Sequence, residues 1–158
     1  MLESRDLTFC TNEGIFSFRV AAIILHDNKV LMVYNRDLKQ YYSVGGRCKL
    51  HENTENAIVR ECREETGISF EIDRLGFIQE NFFEIDGRKY HEIDFIYYMT
   101  SLEDISLVGK NELDLSQNES LVWCDLNEIK SAENFFPEFF KTELDTDCNE
   151  IRHIITVE

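Results

Sequence analysis

Apolar residues in this chain fall into short runs punctuated by turn-forming residues, and most runs have strand length. Leu7–Cys10 predicts a short leading strand before a turn at Asn12–Gly14. Val20–Leu25 is continuously apolar within Phe16–Leu25, as in a strand covered on both faces. Asp27-Asn28 marks a turn, and Lys29–Tyr34 returns as the second arm of a hairpin. Tyr41–Val44 is a short strand that runs into Gly45-Gly46. Leu75 begins a long strand reaching Ile85, Asp86-Gly87 is a strong hairpin turn, and Arg88–Met99 runs back. The acidic stretch Ser101–Ser120 reads mainly as loop, and Leu121–Cys124 as a strand. Asp125 is placed to cap a turn through Leu126 and Ile129. Phe135–Phe140 predicts a helix with Pro137 at its first position, and Ile151–Val157 a terminal strand or tail.

One segment has the opposite period. Thr54–Thr66 reads as a helix, with Thr54 as the N-cap and Gly67 as the left-handed stop. Successive residues turn by about 100°, so Ala57, Glu61, Glu64 and Glu65 share a face, with Ile58 and Cys62 beside them. The three glutamates therefore border the stripe that should pack on the domain. Residues three and four apart lie about 5–6 Å apart at Cβ, so their carboxylates can converge. Two carboxylates ~4 Å apart repel by about 4 kcal/mol at an intermediate dielectric. Glu64 and Glu65 also sit in the last turn, where the helix dipole disfavours anions. Arg60 relieves part of this, and Arg63 points away. A hard divalent cation would remove the penalty, and oxygen-only ligands favour Mg²⁺ or Mn²⁺ over zinc. Such a charge run on its own usually forms a solvated face. The residues around it change the balance.

Gly46, Glu52, Arg60-Glu61-Cys62-Arg63-Glu64-Glu65-Thr66-Gly67-Ile68 resembles the Nudix box, G-x5-E-x7-R-E-U-x-E-E-x-G-U with U bulky and apolar. Every fixed position is filled; the one mild departure is Cys62, where leucine or isoleucine is more usual. The resemblance implies an α/β fold of the α+β type, with a mixed central β-sheet sandwiched between α-helices. That agrees with several strands interrupted by one early helix. It also implies hydrolysis of a nucleoside diphosphate linked to another group, by water attack on phosphorus with Mg²⁺, or Mn²⁺ as substitute. Carried over residue by residue, Glu61, Glu64 and Glu65 would bind metal, and the backbone at Gly46 or Gly45 would add a ligand. Arg60 would hold a glutamate in position, and Glu52 would support the loop or reach metal through water. Glu61 is the first candidate for the general base, with Glu92, Glu112 and Glu119 as alternatives outside the box; Glu119 ranks first among these because it precedes the Leu121–Trp123 strand. His91 on a strand is more often structural than catalytic. Tyr41, Tyr42, Phe82 and Phe83 are candidates to stack a nucleobase.

Composition narrows the partners. At 158 residues the chain suits a single domain over 1–158. Its 31 acidic against 16 basic residues leave a formal net charge of -15, which disfavours long nucleic acid and anionic membranes and suits a small phosphorylated, nucleotide-type substrate met through metal. Five scattered cysteines suggest neither a disulfide framework nor a zinc site. With no secretory signal and no apolar run of membrane-spanning length, a cytoplasmic protein is expected. A homodimer is compatible with the sequence but not readable from it. The downstream proline and tyrosine that mark ADP-ribose and dinucleoside polyphosphate hydrolases are missing around Asn81–Glu84, so the substrate stays open among nucleoside triphosphates, nucleotide sugars, dinucleotides and capped RNA ends. Two rivals stand beside hydrolysis. A nucleotide-sensing Nudix-like domain would be expected to lose box glutamates, and an isoprenoid diphosphate isomerase uses a catalytic cysteine that Cys48 does not obviously match.

Overall fold

The computed structural model describes residues 5–110, 115–144 and 147–158. Its strands are β1 (Thr8–Cys10), β2 (Ile15–Ile23), β3 (Leu25–His26), β4 (Lys29–Asn35) and β5 (Gln40–Arg47), followed by helix α1 (Thr54–Thr66). Then come β6 (Phe70–Ile85), β7 (Arg88–Ser101), β8 (Glu119–Asp125), β9 (Phe135–Phe136), helix α2 (Phe140–Glu143) and β10 (Arg152–Val157). Among the described residues the main path runs β10-β6-β7-β2-β5-β4-β3, with β1 on β2, β8 on β4 and β9 on β5. The β2–β7, β6–β10 and β5–β9 pairs are parallel and the remaining pairs antiparallel, so the sheet is mixed.

Strand alternation divides the apolar residues into two cores. Val20, Ala22, Leu31, Val33, Tyr97 and Met99 pack with Ala57, Ile58 and Cys62 of α1. Their neighbours Ala21, Ile23, Val30, Met32, Ile96 and Tyr98 face the other way, against Ile129, Phe135 and Phe140. This is why Val20–Leu25 carries no polar face. Burying a side chain such as Ile58 contributes roughly 1.5–3 kcal/mol, and α1 is held mainly by this contact.

Both short turns behave as their residues demand. Asp27 and Asn28 have φ of 48° and 59°, and Asp86 and Gly87 have φ of 51° and 77°. Paired positive φ values match the right-handed twist of the flanking strands. Helix α1 ends at Gly67 with φ 78°, its amide donating to the Arg63 carbonyl. Its N-cap, however, is Asn53, whose side chain accepts from the Asn56 amide. Thr54 lies inside the helix, and its hydroxyl bonds the Tyr97 hydroxyl at 2.6 Å.

Other expectations shift or resolve. The long strand begins at Phe70, five residues before Leu75, because Phe70 is buried against the α1 side of the sheet. Phe135 and Phe136 form an extended pair on Tyr41 and Tyr42, so the expected helix shrinks to Phe140–Glu143. The residue before a proline favours extended backbone, and Phe135 is 1% exposed, so the strand conformation wins. Ile151–Val157 resolves into β10, laid parallel along β6. The expected loop Ser101–Ser120 contains a 3-10 turn at Ile105–Leu107, capped by Asp104, whose side chain accepts from the Ser106 amide at 2.9 Å. Asp125 does accept from the Asn127 amide at the turn before Ile129.

Candidate active site

Strand β5 and helix α1 bring the box residues together. Arg60 is at the centre. It donates from Nε to Glu52 Oε1 at 2.7 Å and from one terminal nitrogen to Glu52 Oε2 at 2.9 Å. Its other terminal nitrogen serves Glu61 Oε1 at 2.7 Å and Glu64 Oε2 at 3.1 Å. Glu52 also accepts from the Lys49 amide at 2.9 Å, which closes the loop before the helix. The Arg60 hydrogen bond is the main reason the Glu52 carboxyl titrates below its ordinary range.

Glu65 is not held by Arg60; its Oε2 accepts from the Gly45 amide at 2.9 Å. Thus the three helix glutamates do not all converge: Glu61 and Glu64 meet at a guanidinium, and Glu65 reaches the β5 backbone. Burial pushes the Glu65 carboxyl up to about 8; the Gly45 hydrogen bond opposes this, and the charges of Glu61 and Glu119 add to it. Burial raises Glu61 as well, against the pull of Arg60. Gly46 provides the space for this arrangement. A Cβ there would stand 2.6 Å from the Glu61 carboxyl carbon.

Among the described residues, no three His, Cys, Asp or Glu side chains are placed so as to enclose an ion as they stand. The donor chemistry nevertheless fits a hard divalent cation. The available groups are carboxylate oxygens and a side-chain-free backbone at Gly46. Burial disfavours the charged form of Glu61 and Glu65, and a neighbouring cation would restore it.

Glu65 forms part of the wall of a cleft of about 370 Å³. Glu119 at the start of β8 and Glu92 on β7 line the same cleft. Glu119 accepts from the Ser116 amide at 3.3 Å, and Glu92 from Asn81 at 3.5 Å. Two of the external base candidates therefore share a cavity with the end of the box. Glu112, the third, lies outside the described residues. His91 is elsewhere: it stacks on Phe82 at 4.4 Å and meets Phe16 edge-on at 5.3 Å, in a separate aromatic cavity. Phe82 and Phe83 belong to that cavity, and Tyr41 packs on Tyr34 and Phe135. Of the four aromatic candidates only Tyr42 lines the cleft, paired with Phe136 at 6.3 Å.

Among the cleft residues not singled out from sequence are Arg19 on β2, Gln79 on β6 and Asp94 on β7. The available signal was polarity inside apolar strands, Phe18-Arg19-Val20 and Ile93-Asp94-Phe95. Arg19 Nε stands 3.6 Å from Asp94 and 3.9 Å from Glu92.

A family model, the NUDIX domain, matches residues 17–142, most of the chain. The chain belongs to the Nudix family. Nudix hydrolases act on phosphoric anhydride bonds, and this chain is placed in that enzyme class. Solved Nudix structures share the fold. A Nudix-family hydrolase from Clostridium perfringens is 22% identical, with 78% of this chain and 91% of that one covered at a TM-score of 0.59. The MutT protein from Methanosarcina mazei Go1 is 21% identical, with 82% and 91% covered at 0.57. An ADP-ribose pyrophosphatase from Streptococcus suis 89-1591 is 16% identical, with 87% and 98% covered at 0.56. No curated protein matches the chain. Among the described residues, no helix of this Nudix protein is long and apolar enough to cross a membrane.

Proposed function

We propose that this Nudix protein is a Mg²⁺- or Mn²⁺-dependent pyrophosphohydrolase, a single cytoplasmic domain cleaving a small nucleoside diphosphate linked to another group. The observation that carries the reading is the placement of Glu65, at the end of the box helix, in one cleft with Glu119 and Glu92. Glu61, Glu64 and Glu65, with the Gly46 backbone, are the residues that would hold the ion. Bound there, a divalent cation neutralises phosphate oxygens and lowers the pKa of a water.

The chain's own groups do the remainder. Arg60 keeps Glu61 and Glu64 on one side of the helix, and through Glu52 fixes the loop that enters it. In hydrolysis a water oxygen bonds to one phosphorus while the bond from that phosphorus to the bridging oxygen breaks. The water proton passes to a carboxylate, and both products keep phosphate. Glu119 is our choice for that carboxylate, since it lines the cleft and its charge acts on Glu65, whereas Glu61 is tied to Arg60. Positioning and charge stabilisation supply most of the rate in such transfers.

The test is incubation with nucleoside diphosphate derivatives and Mg²⁺, followed by ³¹P NMR. Two phosphate-bearing products per turnover are expected, and release dependent on the metal. Absence of turnover across the set would remove the proposal.

A further inference from the structure

Glu119 opens β8, and the segment just before it, 115–118, belongs to no strand. The end of an irregular segment is a poorly fixed place for a proton acceptor. The ladder partner of Glu119 is Asn35, the last residue of β4. Beyond that rung the two chains stay joined. The Arg36 amide donates to the Asn118 carbonyl at 2.9 Å. The Arg36 guanidinium donates to the Gln117 carbonyl at 2.6 Å. The Asn118 side-chain amide donates to the Asp37 carboxylate. The turn between β4 and β5 thus grips a segment 81 positions away, with two side chains as well as with backbone.

The turn itself does not need these contacts. Asn35 already closes it, its Oδ1 accepting from the amides of Asp37 and Leu38, both at 3.1 Å. The two side-chain contacts are exposed, so they add little to the stability of the fold. What they fix is Gln117 and Asn118. Those residues lie inside a small turn closed by Glu119: its amide donates to the Ser116 carbonyl at 3.0 Å, and the Ser116 amide donates to Glu119 Oε2 at 3.3 Å. Holding 117 and 118 therefore holds the amide that aims the carboxylate. Among the described residues, Oε1 of Glu119 makes no hydrogen bond, which leaves it for a water. Asn35 and Leu38 line the cleft together with Glu119, so the gripping turn is part of the same wall.

We propose that Arg36 and Asp37 are positioning residues for hydrolysis: they clamp the 116–118 segment so that Glu119 presents its carboxylate to the attacking water. This rests on the pyrophosphohydrolase reading with Glu119 as proton acceptor. Misplacing a reacting group by about 1 Å costs up to about 10²-fold in rate, so contacts of small structural weight carry a large catalytic one.

The experiment measures kcat and KM in Mg²⁺, on a nucleoside diphosphate derivative that the wild type turns over. The variants are Arg36→Ala, Asp37→Ala, Asp37→Asn, Glu119→Gln, and Arg36→Ala combined with Glu119→Gln. Each single alanine variant should lower kcat by about tenfold and leave KM within about twofold. Asp37→Asn keeps an oxygen that accepts from Asn118, and should recover most of the loss. In the Glu119→Gln background, Arg36→Ala should lower kcat by less than about twofold, because no proton acceptor is left to aim. A merely structural contact would lower kcat by the same factor in both backgrounds. Equal factors, or wild-type kcat in both alanine variants beside a slow Glu119→Gln, overturn the clamp and leave the pyrophosphohydrolase standing. Wild-type kcat in Glu119→Gln overturns the clamp together with that choice of proton acceptor. No turnover by the wild type of any nucleoside diphosphate derivative removes the hydrolase reading as well.

Discussion

Arg60 grips Glu52 with two parallel hydrogen bonds, at 2.7 and 2.9 Å, although eight positions separate them. The pair ties the loop after β5 to the middle of α1, and the guanidinium still has a nitrogen left for Glu61 and Glu64. Lysine keeps the charge but has no fork. Arg60→Lys should therefore lose roughly 1–3 kcal/mol of stability in urea denaturation, with kcat reduced about 10–100-fold. A variant as stable and as active as the wild type would show that charge alone suffices.

Gly46 and Glu61 share a space that holds only one of a methyl group and a carboxylate. In Gly46→Ala the new Cβ would sit 2.6 Å from the Glu61 carboxyl carbon and one of its oxygens. The carboxylate is the end of a flexible side chain, so the fold can yield by turning it away. Activity should then fall by about 100-fold while stability changes by about 1 kcal/mol or less. Matched losses in kcat and melting temperature would place the strain in the backbone instead.

Glu64→Gln and Glu119→Gln separate two roles. Each keeps the side-chain shape and removes a charge. Glu64→Gln should abolish Mg²⁺-dependent turnover with the thermal transition nearly unchanged, since its side chain is 36% exposed. Glu119→Gln should lower kcat by about 10²–10⁴-fold with little change in KM, as for loss of a proton acceptor. Wild-type kcat in the second variant would return Glu92 and Glu61 to the front.

Asp94 should make stability depend on pH. Burial pushes its carboxyl up to about 7, with Arg19 opposing and Glu92 adding. The unfolded chain releases this proton near pH 4, at about the ordinary aspartate value, so between those limits the folded protein binds more protons. Stability must then fall as pH rises from about 4 to about 7, with the loss complete above that. Asp94→Asn carries no such proton. The wild-type minus variant difference, from denaturation at a series of pH values, should decline across that window and flatten above it. A level difference would contradict the assignment.

Asn53 is the cap that the start of α1 depends on. Its side chain accepts from the Asn56 amide at 2.8 Å, and Asn53→Ala should cost about 1 kcal/mol by calorimetry. Thr54, the cap expected from sequence, is not the cap; its hydroxyl has a tertiary partner in Tyr97. Asn and Thr are both good caps, and they stand next to each other here. Only the contact with β7 separates them.

The local elements were written in the chain itself. The turns at Asp27-Asn28 and Asp86-Gly87 and the stop at Gly67 rest on interactions between residues a few positions apart, and the two-sided run Val20–Leu25 and the box spacing are patterns visible in the sequence itself. Such interactions survive without knowledge of the rest of the molecule. What tertiary structure decided were the meetings across long separations. Phe135 could have opened a helix, and pairing with Tyr41 made it a strand. Glu92 and His91 are neighbours in sequence, yet alternation sends one into the cleft and the other into an aromatic cavity. Periodicity tells which residues share a face of a strand; it does not tell which strand lies alongside. The row from Arg19 through Asp94 and Gln79 to Thr156 exists only because packing chose those neighbours and that register.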